Sequence, residues 1–127
     1  MVVTIASIAG LQYIGKPQVA YSATKAPTLQ FTKAIAIIYA DRKIQLNTVV
    51  PRLIYTPYTQ TLAQRYAPGG DEEAHIKKRD AQIPIGRTGD VWDVAKAALF
   101  LVSDEASYII GQNIEIDGGI AASTGRV

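Results

Sequence analysis

Tyr21 and Lys25 stand four residues apart, Ser22 and Lys25 three apart, and Ser7 lies fourteen residues before Tyr21. On an α-helix, four residues advance about 40° beyond a full turn, so Tyr21 and Lys25 fall on one face. An ammonium held beside a phenol favours the phenolate. A tyrosine assisted in this way can exchange a proton with a carbonyl or an alcohol. Ser7 closes an apolar run, where its hydroxyl could donate to the same oxygen. A second chemistry overlaps the first, because Ser22-Ala23-Thr24-Lys25 reads S-x-x-K, with a serine nucleophile and a lysine beside it. Alone, Y-x-x-x-K is a common pairing. Its weight depends on the elements that carry it.

Residues 2–6 form a short, strongly apolar run that stops at Ser7 and Gly10, as a buried parallel strand does. Residues 11–19 contain Gly15 and Pro17 and read as a loop. Apolar positions Ala23, Leu29, Ala34, Ile37 and Ile38 predict a helix over residues 20–40, with Thr32 and Lys33 as polar breaks. Pro27 falls inside it. Either the helix kinks near Lys25, or it begins later with Pro27 in its first turn, which would take Tyr21 and Lys25 off the helix. A second strand is expected over residues 44–50. Two short exposed helices, 56–67 and 71–82, flank the turn Pro68-Gly69-Gly70. Glu73 and Lys77 suit a helical ion pair, Lys77-Lys78-Arg79 a solvated face, and His75 a solvated position. Asp90 can cap a helix over 91–102, with Val94, Ala95, Ala98, Leu99 and Leu101 as its apolar stripe and Trp92 as a packing anchor. A third strand spans 113–116 and ends in the turn Asp117-Gly118-Gly119, where glycine permits positive φ. The tail 121–127 is small and polar and is expected to be mobile.

Strands alternating with helices argue for an α/β chain with a small parallel sheet of about three strands. In a monomer the first strand would leave an apolar edge open, so a rearranged fold, a second copy or a further domain is expected to cover it. At 127 residues the chain is one small domain or part of a larger one. A net charge of +2 is too small to argue for nucleic acid or an anionic membrane. The absence of cysteine excludes disulfides and thiolate metal sites and fits a reducing, cytoplasmic compartment. One histidine leaves no His-based metal cluster and no Ser–His–Asp triad. No run approaches the roughly 20 apolar residues that span a bilayer.

Set in order, these segments resemble the short-chain dehydrogenases/reductases. Thr4-Ile5-Ala6-Ser7-Ile8-Ala9-Gly10 is similar to the family's strand with its catalytic serine, and Tyr21-Ser22-Ala23-Thr24-Lys25 to its catalytic helix. Ile44-Gln45-Leu46-Asn47-Thr48-Val49-Val50-Pro51 resembles the following strand, and Ile54-Tyr55-Thr56-Pro57 the loop after it. Pro84-Ile85-Gly86-Arg87, Ala98-Leu99-Phe100-Leu101 and Ile116-Asp117-Gly118-Gly119 continue the pattern in the same order. The resemblance implies a partial Rossmann-like three-layer unit, with residues 1–127 forming a single C-terminal half-domain. The glycine-rich strand–turn–helix that cradles a pyrophosphate is not among these residues.

The roles implied by the resemblance are specific. Tyr21 would be the general acid/base on a carbonyl or alcohol substrate. Lys25 would assist it and hydrogen-bond the nicotinamide ribose of NAD or NADP, and Ser7 would hold the substrate oxygen. The backbone at Ile54 and the hydroxyl of Thr56 would meet the nicotinamide carboxamide. Residues 58–83 would form the mobile substrate loop. Arg52 departs from the family, which usually has glycine after Pro51. A long cation there would obstruct the nicotinamide or bind an anion. The family's interfaces imply a homodimer or tetramer. Two other functions remain open from the residues. One is a small-ester hydrolase using Ser7 or Ser22 with Tyr21 and Lys25, since S-x-x-K resembles the nucleophile motif of β-lactamase-like esterases. The other is a non-catalytic oligomerisation module.

Overall fold

The computed structural model describes residues 1–66, 69 and 71–123. Along the chain run β1 (Val2–Ile5), α1 (Val19–Ile38), β2 (Leu46–Pro51), α2 (Tyr58–Tyr66), α3 (Glu72–Asp80), α4 (Val91–Leu101) and β3 (Asn113–Ile116). They fall into two compact units. One joins Met1–Arg52 to Val94–Ile116, and the other joins Leu53–Asp93 to the stretch from Asp117 onward.

The first unit holds the sheet, which is parallel with order β1-β2-β3. Thr4 pairs with Thr48, and Val49 with both Ile5 and Ile114. Central β2 is buried from Leu46 through Val50, as a parallel strand covered on both faces must be. Side chains alternate between the faces of a strand, and each face here has its own helix. Val3, Val49, Ile114 and Ile116 pack with Val94, Ala97, Ala98 and Leu101 of α4. On the opposite face Thr4 meets Thr32 of α1. The result is the expected three-layer α/β arrangement. Asn47, buried in β2, gives its amide to the Ile109 carbonyl (2.8 Å) and accepts from the Gln112 amide (3.0 Å), which ties down the approach to β3.

Several expected facings change. Thr32, read as a polar break, is buried at 1% exposure. Its hydroxyl bonds Thr4 Oγ1 (2.9 Å) and the Thr28 carbonyl (2.8 Å), and Thr4 Oγ1 also meets Thr48 Oγ1 (3.0 Å). A hydroxyl with partners on both sides can be buried without the desolvation penalty of an unpaired one. The apolar Ile37 and Ile38 face outward instead. On α4 the stripe is Val94, Ala97, Ala98 and Leu101, whereas Ala95 and Leu99 are exposed, and Trp92 is exposed rather than an anchor. Asp90 does cap this helix, accepting from the amides of Trp92 (2.8 Å) and Asp93 (2.9 Å).

In the second unit α2 and α3 form close to their expected places. The turn residues Pro68 and Gly70, Ala67, and the tail beyond Ser123 lie outside the described residues. His75 and Arg79 are buried, so neither belongs to a solvated face. Among the described residues the ion pair that closes is Arg87–Asp93 (2.8 Å), not Glu73–Lys77. Gly118 and Gly119 both adopt positive φ, 65° and 91°. A Cβ on Gly118 would press on Ile83 Cγ2.

Candidate active site

Ser7 leaves β1 in extended backbone and caps the single 3-10 turn Ile8–Gly10, where its Oγ accepts from the Ala9 amide at 3.3 Å. Accepting there leaves its O–H as the group to offer a ligand oxygen. The turn then meets α1 at very close range. A Cβ on Gly10 would lie 2.7 Å from the Lys25 carbonyl carbon and 2.8 Å from its oxygen. Only glycine permits that approach, and it sets the Ser7 turn directly against the part of α1 that carries Lys25.

Helix α1 starts at Val19 and runs unbroken through Pro27, so Tyr21, Ser22 and Lys25 all lie on it. The later start in which Pro27 opens the helix is excluded. Pro27 has no N–H for the Ala23 carbonyl, yet the helix continues through it to Ile38. Lys25 Nζ sits 5.9 Å from the centroid of the Tyr21 ring and donates to the Ile5 carbonyl at 3.3 Å. The ammonium therefore bridges the tyrosine and the last residue of β1, while Tyr21 is 45% exposed. The structure brings Lys25 and Tyr21 together and sets the Lys25 ammonium on the Ile5 carbonyl, two residues before Ser7. Ser22 is half-buried on the same helix, and the Lys25 ammonium is directed to Ile5 and the Tyr21 ring.

Ile54 and Thr56 belong to the second unit. Ile54 forms a parallel bridge with Gly89, in which the Tyr55 amide donates to the Gly89 carbonyl (2.7 Å) and the Gly89 amide to the Leu53 carbonyl (3.1 Å). Leu53 takes φ 51°, a left-handed conformation that is strained for leucine. The half-buried Arg52 before it extends the ladder by donating its amide to the Ile116 carbonyl (3.0 Å). The Thr56 amide donates to Thr59 Oγ1 (3.0 Å), while the Thr59 amide donates to the Thr56 carbonyl (2.8 Å). This reciprocal pair fixes the loop where α2 begins, much as a capping box does. Thr59 was not singled out from the sequence, although T-x-x-T was there to read.

Three further side chains brace this loop from α3. Arg79 Nη2 donates to the Ile54 carbonyl (3.1 Å), Asp80 Oδ1 accepts from both the amide and the hydroxyl of Thr88, and Tyr55 Oη donates to Glu72 Oε1 (3.1 Å). The Glu72 carboxylate stabilises the neutral Tyr55 phenol and raises its pKa. Burial lowers that of Arg79. Among the described residues no cluster of His, Asp or Glu could hold a metal ion, and no helix is long and apolar enough to cross a membrane.

A family model described as enoyl-(acyl carrier protein) reductase matches residues 1–121. The chain is 37% identical over 118 residues to a 2,5-dichloro-2,5-cyclohexadiene-1,4-diol dehydrogenase from Sphingobium indicum, covering 93% of this chain and 43% of that protein. It is 38% identical over 119 residues to the 3-oxoacyl-(acyl-carrier-protein) reductase of Escherichia coli, with 94% and 45% covered. A solved structure assigned to the short-chain dehydrogenases/reductases, from Burkholderia xenovorans, superposes with a TM-score of 0.85 at 43% identity, over 95% of this chain and 45% of that one. The chain thus spans less than half the length of each relative. With the match running to residue 121 on a shared arrangement of strands and helices, the chain belongs to the short-chain dehydrogenase/reductase family.

Proposed function

We propose that residues 1–127 are the catalytic half-domain of an oxidoreductase acting on a small carbonyl or alcohol substrate. The observation that carries this reading is the Lys25 ammonium held between the Tyr21 ring and the Ile5 carbonyl at the end of β1, two residues before Ser7. Tyr21 is the general acid/base, exposed enough to reach a ligand. Lys25 holds its ammonium beside that ring, and Ser7 offers its O–H to the substrate oxygen. NAD or NADP supplies the hydride when bound. Of the residues present, Lys25 suits the ribose hydroxyls, and the Ile54 backbone with Thr56 suits the carboxamide. Each is by itself a donor or acceptor of the kind the nicotinamide end takes, whereas the pyrophosphate would need a glycine-rich helix start from elsewhere. The cytoplasm is the proposed compartment, in keeping with the absence of cysteine. Neither nucleic acid nor a membrane is a proposed partner.

Exposed apolar side chains on α1 (Phe31, Ile37, Ile38) and α4 (Trp92, Leu99) support a homodimer or tetramer. Nothing at Ser22 favours the ester hydrolase. Titration with NADH and NADPH, followed by ketone reduction at 340 nm, tests the assignment. Turnover is expected to fall at least about a hundredfold in Tyr21→Phe, the scale of a lost acid/base group. Equal turnover by Tyr21→Phe would sink the reading. Cleavage of a short nitrophenyl ester that is lost in Ser22→Ala would replace it with the hydrolase.

A further inference from the structure

Arg79 is out of character for its surroundings. Its neighbours Lys77 and Lys78 are exposed, as a basic run on a helix should be, yet Arg79 is only 7% exposed. Its Nε has no hydrogen-bond partner, and Nη2 is spent on one backbone carbonyl, that of Ile54. A buried cation is costly unless its hydrogen bonds compensate. An apolar residue would fill the same space more cheaply, so the guanidinium is there for what it holds.

The Ile54 peptide is that target, and its orientation matters. In the bridge to Gly89 it is Leu53 O and Tyr55 N that face Gly89. The N–H and C=O of Ile54 therefore both point to the other side, toward Arg79. The next residue of α3, Asp80, holds Thr88 on the opposite strand of the bridge through its amide and hydroxyl. Consecutive residues at the end of one helix thus grip both strands of a bridge that has no sheet of its own, while Tyr55 is tied to the first turn of the same helix through Glu72.

We propose that Arg79 is a positioning residue for the nicotinamide-facing loop: its guanidinium fixes the Ile54 peptide, and with it Thr56, for a ligand carboxamide. A carbonyl oxygen has two lone pairs, so Ile54 can accept from Arg79 and from a ligand amide together. The inference rests on Ile54 and Thr56 being the residues that meet the carboxamide.

Two measurements on Arg79→Met and Arg79→Lys test this. Amide hydrogen exchange at Tyr55 and Gly89 is expected to rise at least about tenfold in Arg79→Met, the equivalent of one charge-assisted hydrogen bond, while Val49 and Val50 of β2 stay as protected as before. The dissociation constant for NADPH or NADH is expected to weaken by about the same factor, with Arg79→Lys restoring most of both. Unchanged exchange at Tyr55 and Gly89 overturns the proposal whatever the nucleotide does. Faster exchange with equal or tighter nucleotide binding also overturns it, showing that Arg79 competes for the Ile54 carbonyl. If the unaltered chain binds neither nucleotide but exchange still rises in Arg79→Met, the grip on Ile54 stands and the cofactor assignment fails. Should Arg79→Met not fold, Arg79→Gln is read in the same way.

Discussion

Gly10 shows how a single missing carbon can place a functional group. Its Cα lies so near the Lys25 carbonyl that even a methyl group would collide with main chain, which cannot rotate away. Gly10→Ala is therefore expected to push the 3-10 turn and α1 apart and to lower stability by about 1–3 kcal/mol, the usual scale of overpacking. Urea unfolding checks the first effect, and turnover should fall further than stability explains because Ser7 moves with the turn. At this scale the spacing of Tyr21 and Lys25 was legible, since helix geometry turns a separation of four into a shared face. The part of Gly10 was not. Glycine after an apolar run reads as the end of a strand, and the helix it touches is fifteen residues on. Arg79 was hidden for a related reason: a basic run carries no sign of which member will find a buried carbonyl.

Among the elements, α1 was placed within two residues at each end, yet its inward face was misjudged. The sequence shows that Thr32 is polar, but not that Thr4 and Thr48 wait opposite it with hydroxyls at 2.9 and 3.0 Å along the chain of bonds. Because the three hydroxyls are linked, removing one takes a partner from its neighbour. Thr32→Val should cost about 1–3 kcal/mol by denaturant unfolding. Changing Thr4, Thr32 and Thr48 to valine together should recover much of that loss, since burying matched apolar groups leaves no unpaired donor. Equal loss in the single and triple variants would show that packing, not the hydroxyl chain, seats α1 on its sheet. The same reasoning explains α4. Its helix signal and Asp90 cap could be read directly, but which of its many apolar residues faces Val49 is decided by partners distant in sequence.

At the level of the whole molecule, the chain is expected to self-associate, with a mass by light scattering of at least twice 13.7 kDa at micromolar concentration. A monomer would count against the α1 and α4 faces as interfaces. The three-layer order was legible because alternating strands and helices leave few ways to bury a parallel sheet. The rim of that sheet has a practical consequence. Val2 and Ala6 donate their amides to the β2 side, to Gln45 and Val49, so the polar groups of Val3 and Ile5 face outward. The last of these carbonyls is occupied by the Lys25 ammonium. A charge stationed there is a gatekeeper against strands of other molecules stacking onto β1. Lys25→Met would therefore remove the proposed assistant of Tyr21 and this edge guard in one stroke. Its inactivity could be read as chemistry only beside Tyr21→Phe, which leaves the guard at its post.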